Sequence, residues 1–373
     1  MEWFFVIFAS MLFLAYANGA NDNFKGVATL LGSHTLTHKQ ALALATVATL
    51  AGALTAAFFA TELAKTFSGK GLVPLELITT PEFMFAVMLG AALTVFVAAK
   101  FGIPISTTHS LIGGLVGAGV MAAGSELNID ALGNSYLIPL AVSPLIAVIV
   151  AALLYFIVTN IRKRLNINKQ SCLCVGEKRL DVVVPEGISP MTTFSNLDIV
   201  LDDVDNCKVK AIDVYDGHMF GFRIQKLVDG LHIFSGAAVS FARGLHDTPK
   251  IVGVALAAGT MDIYWVTFLA AIAMALGGIL QSHKIAKTMS QDITEINHGQ
   301  GLTANLVTSI MVIFASKWGV PVSTTHVSCG AIFGIGSVNG KTNWSIVGSI
   351  VFAWVLTLPI AASIAAASYY LLT

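Results

Sequence analysis

Two short strings in this chain carry the same chemistry. Pro104-Ile-Ser106-Thr107-Thr108-His109 recurs as Pro321-Val-Ser323-Thr324-Thr325-His326, an offset of 217 residues. Proline interrupts the helical hydrogen-bond ladder and a serine two residues later is a favoured N-cap, so each string reads as a fresh helix start. Such a start offers unpaired N–H groups and the positive end of the helix dipole. With three hydroxyls beside it, it becomes a site for an oxyanion that needs no lysine. Ser106, Thr107, Thr108, Ser323, Thr324 and Thr325 are the candidate ligands. The plainer alternative is that these hydroxyls only bond back to carbonyls and pack helices, the usual role of isolated Ser and Thr in membranes; a repeated triplet fits that role less well.

A second pair of strings precedes them. Gly19-Ala-Asn21-Asp22-Asn23-Phe-Lys25 corresponds to Gly244-Leu-His246-Asp247-Thr248-Pro-Lys250 at an offset of 225 residues. Asp22 and Asp247 interrupt apolar runs, and an ionisable residue at such a depth is by default a functional candidate. Lys25 and Lys250 follow three residues later, so each acid can instead meet a lysine on one helix face. Asn18, Asn21, Asn23 and Thr248 add hard oxygen donors, which suit a small cation. The expected cation set is Asn21, Asp22, Asn23, Thr107, His246, Asp247 and Thr324. Asp22, Asn23, Asp247 and Thr248 are also expected to touch the anion. His109 and His326 either relay protons or hold the broken helices through a carbonyl. Gln281, Glu295 and Asn305 are candidates for a second ion path.

The elements that must position these residues are apolar helices. Hydrophobic residues make up 55% of the 373 residues and Asp, Glu, Lys and Arg only 11%, against about 25% in soluble domains. Runs such as Leu137 to Val158, Ile263 to Leu280 and Ile346 to Leu372 approach the roughly 20 residues that span hydrocarbon. The reading is an all-α integral membrane protein with about 10–12 membrane segments, some broken or re-entrant. The first run, from Trp3, lacks a signal peptide's basic start and cleavage pattern and is expected to remain as a spanning helix. A formal net charge of zero gives no argument for a nucleic-acid partner.

The repeat divides the chain into residues 1–160, a hydrophilic stretch at 161–220 and residues 221–373. The stretch opens with Arg162, Lys163 and Arg164, which puts it on the cytoplasmic side. It is expected to be a small insert with short strands at Leu180 to Val184 and Asp198 to Leu201, or a flexible linker. Cys172 and Cys174 have one residue between them, closer than zinc sites use, and read as reduced thiols. Five segments per half are expected: Trp3 to Gly32, Gln40 to Thr61, Phe83 to Lys100, Gly102 to Ala122 and Leu137 to Thr159, then Leu231 to Ala257, Ile263 to Gln281, Thr303 to Ser316, Gly319 to Val338 and Ile346 to Leu371. An odd count makes the halves an inverted repeat with both termini outside, and places the two helix starts face to face near the midplane.

At Gly19-Ala-Asn-Asp22 and the two Pro-x-Ser-Thr-Thr-His strings, the sequence resembles the PiT family of inorganic phosphate transporters. The resemblance covers both membrane halves. It implies phosphate as substrate, sodium or proton coupling, a central hydrophilic loop and duplicated inverted halves, with Asp22, Asn23, Ser106 to Thr108, Asp247 and Ser323 to Thr325 as the site. Gly244-Leu-His246-Asp247 departs from the usual Gly-x-Asn-Asp, and Thr49 stands where similar animal members carry glutamate. Phosphate beside two carboxylates requires two or more Na⁺, or protons, for neutrality. Sodium is preferred because the candidate donors are mostly oxygens that do not titrate. The expected function is sodium-coupled phosphate symport by alternating access in the plasma membrane. Expected partners are phosphate, Na⁺, the lipid bilayer and a second copy as homodimer. Proton-coupled or sulfate symport is the nearest alternative. A membrane phosphatase lacks a visible nucleophile or metal clamp, and a channel does not need two broken helices.

Overall fold

The computed structural model describes residues 2–165, 171–179, 195–203, 220–256 and 262–373. Ten long helices run through them: α1 Glu2–Asp22, α2 His38–Phe59, α3 Pro81–Phe101, α4 Thr107–Ala123, α5 Ile138–Arg164, α6 Ile224–Leu256, α7 Ile263–Gln281, α8 His298–Lys317, α9 Thr324–Asn339 and α10 Trp344–Leu372. Each coincides with one of the ten expected segments. By contact density the chain forms two units, residues 1–155 with 232–373, and residues 156–231. The second unit carries an antiparallel sheet of order β2-β1-β3, with β1 Ser171–Arg179, β2 Ser195–Asp203 and β3 Phe220–Arg223. The strand expected at Asp198 to Leu201 lies within β2; the one expected at Leu180 to Val184 lies outside the described residues.

Local sequence explains where the helices begin and end. Thr37 with Gln40 and Asn297 with Gln300 form capping boxes at the starts of α2 and α8. The Asp262 carboxylate accepts from the amides of Tyr264 and Trp265 at 3.0 and 3.1 Å to open α7. After α3 and α8 the chain turns at Gly102 and Gly319, with φ of +74° and +68°, a conformation that side chains resist. Pro104 and Pro321 then prevent the helices from resuming before the Ser-Thr-Thr triplets.

Seven helices are long and apolar enough to cross a bilayer. The other three long helices are α4 and α9, only 17 and 16 residues, and α6, which contains Arg243, Asp247 and Lys250. The three helices that fail the simple hydrophobic criterion each carry a repeated motif, whereas α1, which ends in one, passes. Short length and buried charge both follow from what they hold.

The two motif-bearing entry helices differ. Past Asp22 the chain changes to a 3-10 turn at Asn23–Gly26 and a short helix Ala28–Gly32. In the second half α6 continues unbroken through Asp247 and Pro249. Pro249 has no N–H, so α6 gives up one ladder hydrogen bond there without ending.

Packing between the halves is exchanged. A Cβ on Gly19 in α1 would lie 1.9 Å from the Met274 carbonyl oxygen of α7, and one on Gly244 in α6 would lie 2.1 Å from the Thr49 oxygen of α2. Gly277 meets Tyr16 O and Gly52 meets Phe241 O in the same manner, at 1.9 and 2.0 Å. In α4, Gly113 and Gly117 sit against Leu358 and Ala362 of α10; in α9, Gly330 and Gly334 sit against Pro144 and Val148 of α5. Each half thus supplies the partner of the other's equivalent residue, the pattern produced by a local two-fold axis. Small residues at these contacts let backbones approach where no hydrophobic force draws helices together.

Overpacking at such a contact destabilises by about 1–3 kcal/mol. Gly277→Ala is therefore expected to lower the unfolding temperature of the purified protein, whereas Gly348→Ala, whose added Cβ has nothing within 4 Å, leaves it unchanged. Equal unfolding temperatures for the two variants would refute the close-packed α1–α7 contact.

Candidate functional site

The two helix starts are built alike. Ser106 Oγ accepts from the His109 amide at 3.1 Å and Ser323 Oγ from the His326 amide at 3.2 Å, so both serines cap their helices. The amides of Thr107, Thr108, Thr324 and Thr325 fall in the first turn, where no intrahelical acceptor exists. All six residues of the triplets are buried.

Two threonine bonds cross between the halves, and two tie each triplet to the entry helix of its own half. Thr108 Oγ1 donates to the Val322 carbonyl at 3.1 Å, and Thr325 Oγ1 donates to the Ile105 carbonyl at 2.9 Å. Thr107 Oγ1 donates to Asp22 Oδ2 at 3.0 Å, and Thr324 Oγ1 to Asp247 Oδ2 at 3.3 Å. The Ile105 and Val322 carbonyls lie in the non-helical links after the prolines, so they are available to side-chain donors.

Both lysines enter this network. Lys25 Nζ donates to Asp22 Oδ1, to Asn21 Oδ1 at 2.6 Å, to Ile105 O at 2.8 Å and to Thr325 Oγ1 at 2.7 Å. Lys250 Nζ donates to Thr108 Oγ1 at 2.7 Å, Val322 O at 3.0 Å and Asp247 Oδ1 at 3.1 Å. Each ammonium is ringed by oxygens, as a bound cation would be, and ties its aspartate to the opposite half's triplet. The i,i+3 ion pairs open to the sequence are thus formed, in both halves.

Arg243 adds a third buried cation, four residues before Asp247 on α6, with Nε 3.8 Å from Asp247 Oδ2. Asp22, Asp247, Lys25, Lys250 and Arg243 are all at most 2% exposed. With all five ionised, two negative and three positive charges leave the cluster at +1. Lys25 and Lys250 thus offset the two carboxylates that were expected to need two or more Na⁺, or protons, for neutrality.

Several expected ligands point elsewhere. Asn23 bonds to Thr46 and Thr49 at 3.0 and 3.2 Å, and Thr248 Oγ1 donates to the sulfur of Met274, so neither joins the cluster. His246 uses both ring nitrogens, Nδ1 with Ser316 Oγ at 2.8 Å and Nε2 with the Val322 carbonyl at 3.1 Å. A carbonyl only accepts, so Nε2 is protonated, and no lone pair remains for a cation. Asn21 offers its Oδ1 to Lys25 and its amide to Ile103 O. The rings of His109 and His326 face each other with centroids 4.5 Å apart, and His326 stacks on Trp354 at 3.8 Å. Glu295 is exposed and paired with Lys341 at 2.6 Å, which holds its carboxyl below the ordinary range; Asn305 bonds to Thr29 and Ser235, away from the cluster.

Sequence reasoning passes over Asn18 as an organiser. Its Nδ2 donates to both Asp22 Oδ2 and Thr107 Oγ1, at 2.8 and 2.9 Å. It also passes over Arg243, although an arginine in an apolar helix is the same kind of signal that singled out the aspartates.

The sequence matches the phosphate transporter family over residues 18–365. The chain belongs to that family. Relatives named as phosphate permeases in Pyrococcus abyssi and Haemophilus influenzae are each 27% identical, covering 99% and 100% of this chain and 98% and 96% of their own. A Mycobacterium tuberculosis protein, named as a low-affinity inorganic phosphate transporter, is also 27% identical, over 98% of this chain and 76% of its own. A solved structure, described as the sodium-dependent phosphate transporter, superposes with a TM-score of 0.76 at 21% identity, covering 100% of this chain and 99% of that one. That likeness establishes the fold. Family and helices together make this a multi-pass membrane transporter of phosphate and not an enzyme.

Removing one partner of a buried ion pair destabilises by about 3–5 kcal/mol. Asp22→Asn is expected to lower the unfolding temperature sharply, and the double change Asp22→Asn with Lys25→Met to recover part of the loss. Additive losses in that cycle would show the pair to be uncoupled.

Proposed function

We propose that this chain is a secondary carrier that symports inorganic phosphate with sodium by alternating access. The observation that carries the reading is the pair of capped helix starts, α4 and α9, cross-linked through exchanged contacts around a cluster of net charge +1. First-turn amides and serine hydroxyls suit a tetrahedral oxyanion. The exchanged contacts supply two equivalent units that can rock about one site. We infer that the halves are inverted in the bilayer, with both termini outside and the central stretch in the cytoplasm beside Arg162, Lys163 and Arg164.

Charge sets the coupling requirement. A dianionic phosphate added to a +1 cluster leaves −1, which one Na⁺ brings to zero. Oxygen donors that do not titrate, including the buried Asn18 Oδ1 with no hydrogen-bond partner, favour sodium for that role. A sodium-dependent structural neighbour agrees with it. Proton coupling is the second reading, favoured by the same count, because a monoanionic phosphate neutralises the cluster without a metal ion.

Proteoliposomes holding the purified protein are expected to take up radiolabelled phosphate when an inward Na⁺ gradient is imposed and to show counterflow exchange. Uptake driven only by a proton gradient would remove sodium and leave the carrier; uptake without counterflow would point to a channel.

Discrimination against sulfate follows from the carboxylates. Phosphate retains a proton that Asp22 or Asp247 can accept, and sulfate at neutral pH has none. Asp247→Asn is expected to narrow the phosphate-to-sulfate preference. Normal uptake with undiminished preference would exclude a carboxylate acceptor.

A further inference from the structure

Arg243 is the largest fully buried side chain among the described residues, with 0% exposure. None of its three guanidinium nitrogens has a hydrogen-bond partner. Its one ionic contact, Nε to Asp247 Oδ2 at 3.8 Å, is beyond hydrogen-bonding range. A guanidinium has five N–H donors in a planar fork and no way to shed its charge. Leaving that fork unpaired in a low-dielectric interior is strongly unfavourable, and such strain persists at places where function requires it.

The repeat shows what is unusual about the position. The 225-residue offset that relates Asp22 to Asp247 and Lys25 to Lys250 also relates Asn18 to Arg243. In the first half Asn18 closes the corner, bonding to both Asp22 and Thr107 within 2.9 Å. In the second half no such bridge exists, and Thr324 reaches Asp247 at 3.3 Å rather than 3.0 Å. The charges of Asp22, Lys25 and Lys250 also act on Arg243, whose ion-pair contact is with Asp247 on its own helix. The second half thus holds a fork of donors that nothing in the protein uses.

We propose that Arg243 is a direct ligand of the transported oxyanion. Its guanidinium donates a pair of N–H bonds to two phosphate oxygens on the second-half side, while the starts of α4 and α9 serve the others. The proposal rests on the reading of the chain as a phosphate carrier and adds a binding residue to it. It also breaks the symmetry of the site: one anion binds beside α6, not on the two-fold axis. Arg243 supplies the charge that makes the cluster positive before the anion arrives.

The test uses the full chain, with Arg243→Gln and Arg243→Lys, in two measurements. Thermal unfolding is followed with and without inorganic phosphate or sulfate, and phosphate uptake is followed in proteoliposomes. Without anion, Arg243→Gln is expected to unfold at or above the native temperature, since a buried guanidinium without hydrogen bonds has been removed. It should lose the phosphate-induced rise in unfolding temperature, and its half-saturating phosphate concentration should rise about 10- to 100-fold, the value of a charged hydrogen bond. Arg243→Lys should fall between, keeping the charge without the fork. A phosphate-induced rise of native size in Arg243→Gln would overturn the proposal. So would failure of both variants to fold, or lowered stability with unchanged phosphate affinity, which would make the arginine a structural ion-pair partner. If the native protein responds to sulfate alone and that response disappears in Arg243→Gln, the arginine assignment stands and phosphate falls. A native protein that responds to neither anion overturns both.

Discussion

Charge buried away from water must be matched, and that requirement organises this molecule. Two carboxylates, two ammoniums and one guanidinium are buried in the interior of a bundle that exposes many large apolar side chains. An isolated carboxylate or ammonium there is prohibitively unfavourable; the two aspartates and two lysines find counter-charge and hydrogen bonds together, while Arg243 has an ionic contact and no hydrogen bond. Lys25 and Lys250 meet the demand by reaching across the halves: each binds its own aspartate and also a carbonyl and a threonine hydroxyl at a helix start. The ion pairs therefore fix more than charge. They lock the broken segments at Pro104 and Pro321 to the entry helices α1 and α6.

The glycine contacts have the same two-fold logic at the level of packing. Four backbones approach at Gly19, Gly52, Gly244 and Gly277 because no side chain keeps them apart, and each approach is reproduced by the equivalent residues of the other half. Within that frame Asp22 accepts from Thr107 and Asp247 from Thr324. Hydrophobic burial, which sets helix positions in water, does little between helices in lipid. Shape and polar bonding carry the specificity instead. The same bonding leaves the threonine hydroxyls engaged with protein acceptors, so the donors left at the helix starts are the backbone amides and the serine hydroxyls.

Pseudo-symmetry and transport place different demands on the site. Two equivalent halves frame the cluster, yet the transported phosphate is one ion. Asn18 and Arg243 stand at equivalent positions with different chemistry: a neutral amide that completes a hydrogen-bonded corner, and a cation that leaves one open. His246 and Asn21 differ likewise, the histidine clamped between Ser316 and Val322 and the asparagine sharing Lys25. The duplicated frame is kept while its contents diverge.

Much of this was legible in the residues. Ten segments, the repeat, the capping serines and the depth of Asp22 and Asp247 follow from local rules: hydrophobic length, proline and N-cap chemistry, and the rarity of charge among apolar residues. The Asp–Lys pairs were legible as well, being three residues apart on one helix. The sequence could not reveal that Lys25 ends beside Thr325, 300 positions away, or that Asn23 and Thr248 turn from the cluster while Asn18 joins it. Those outcomes depend on which face of each helix meets the other half, set by backbone contacts at glycines that carry no polar signal. Composition could count the charges, but only the tertiary structure decided that three cations and two carboxylates share one site, because in a low-dielectric interior it is distance that turns a list of charges into a sum.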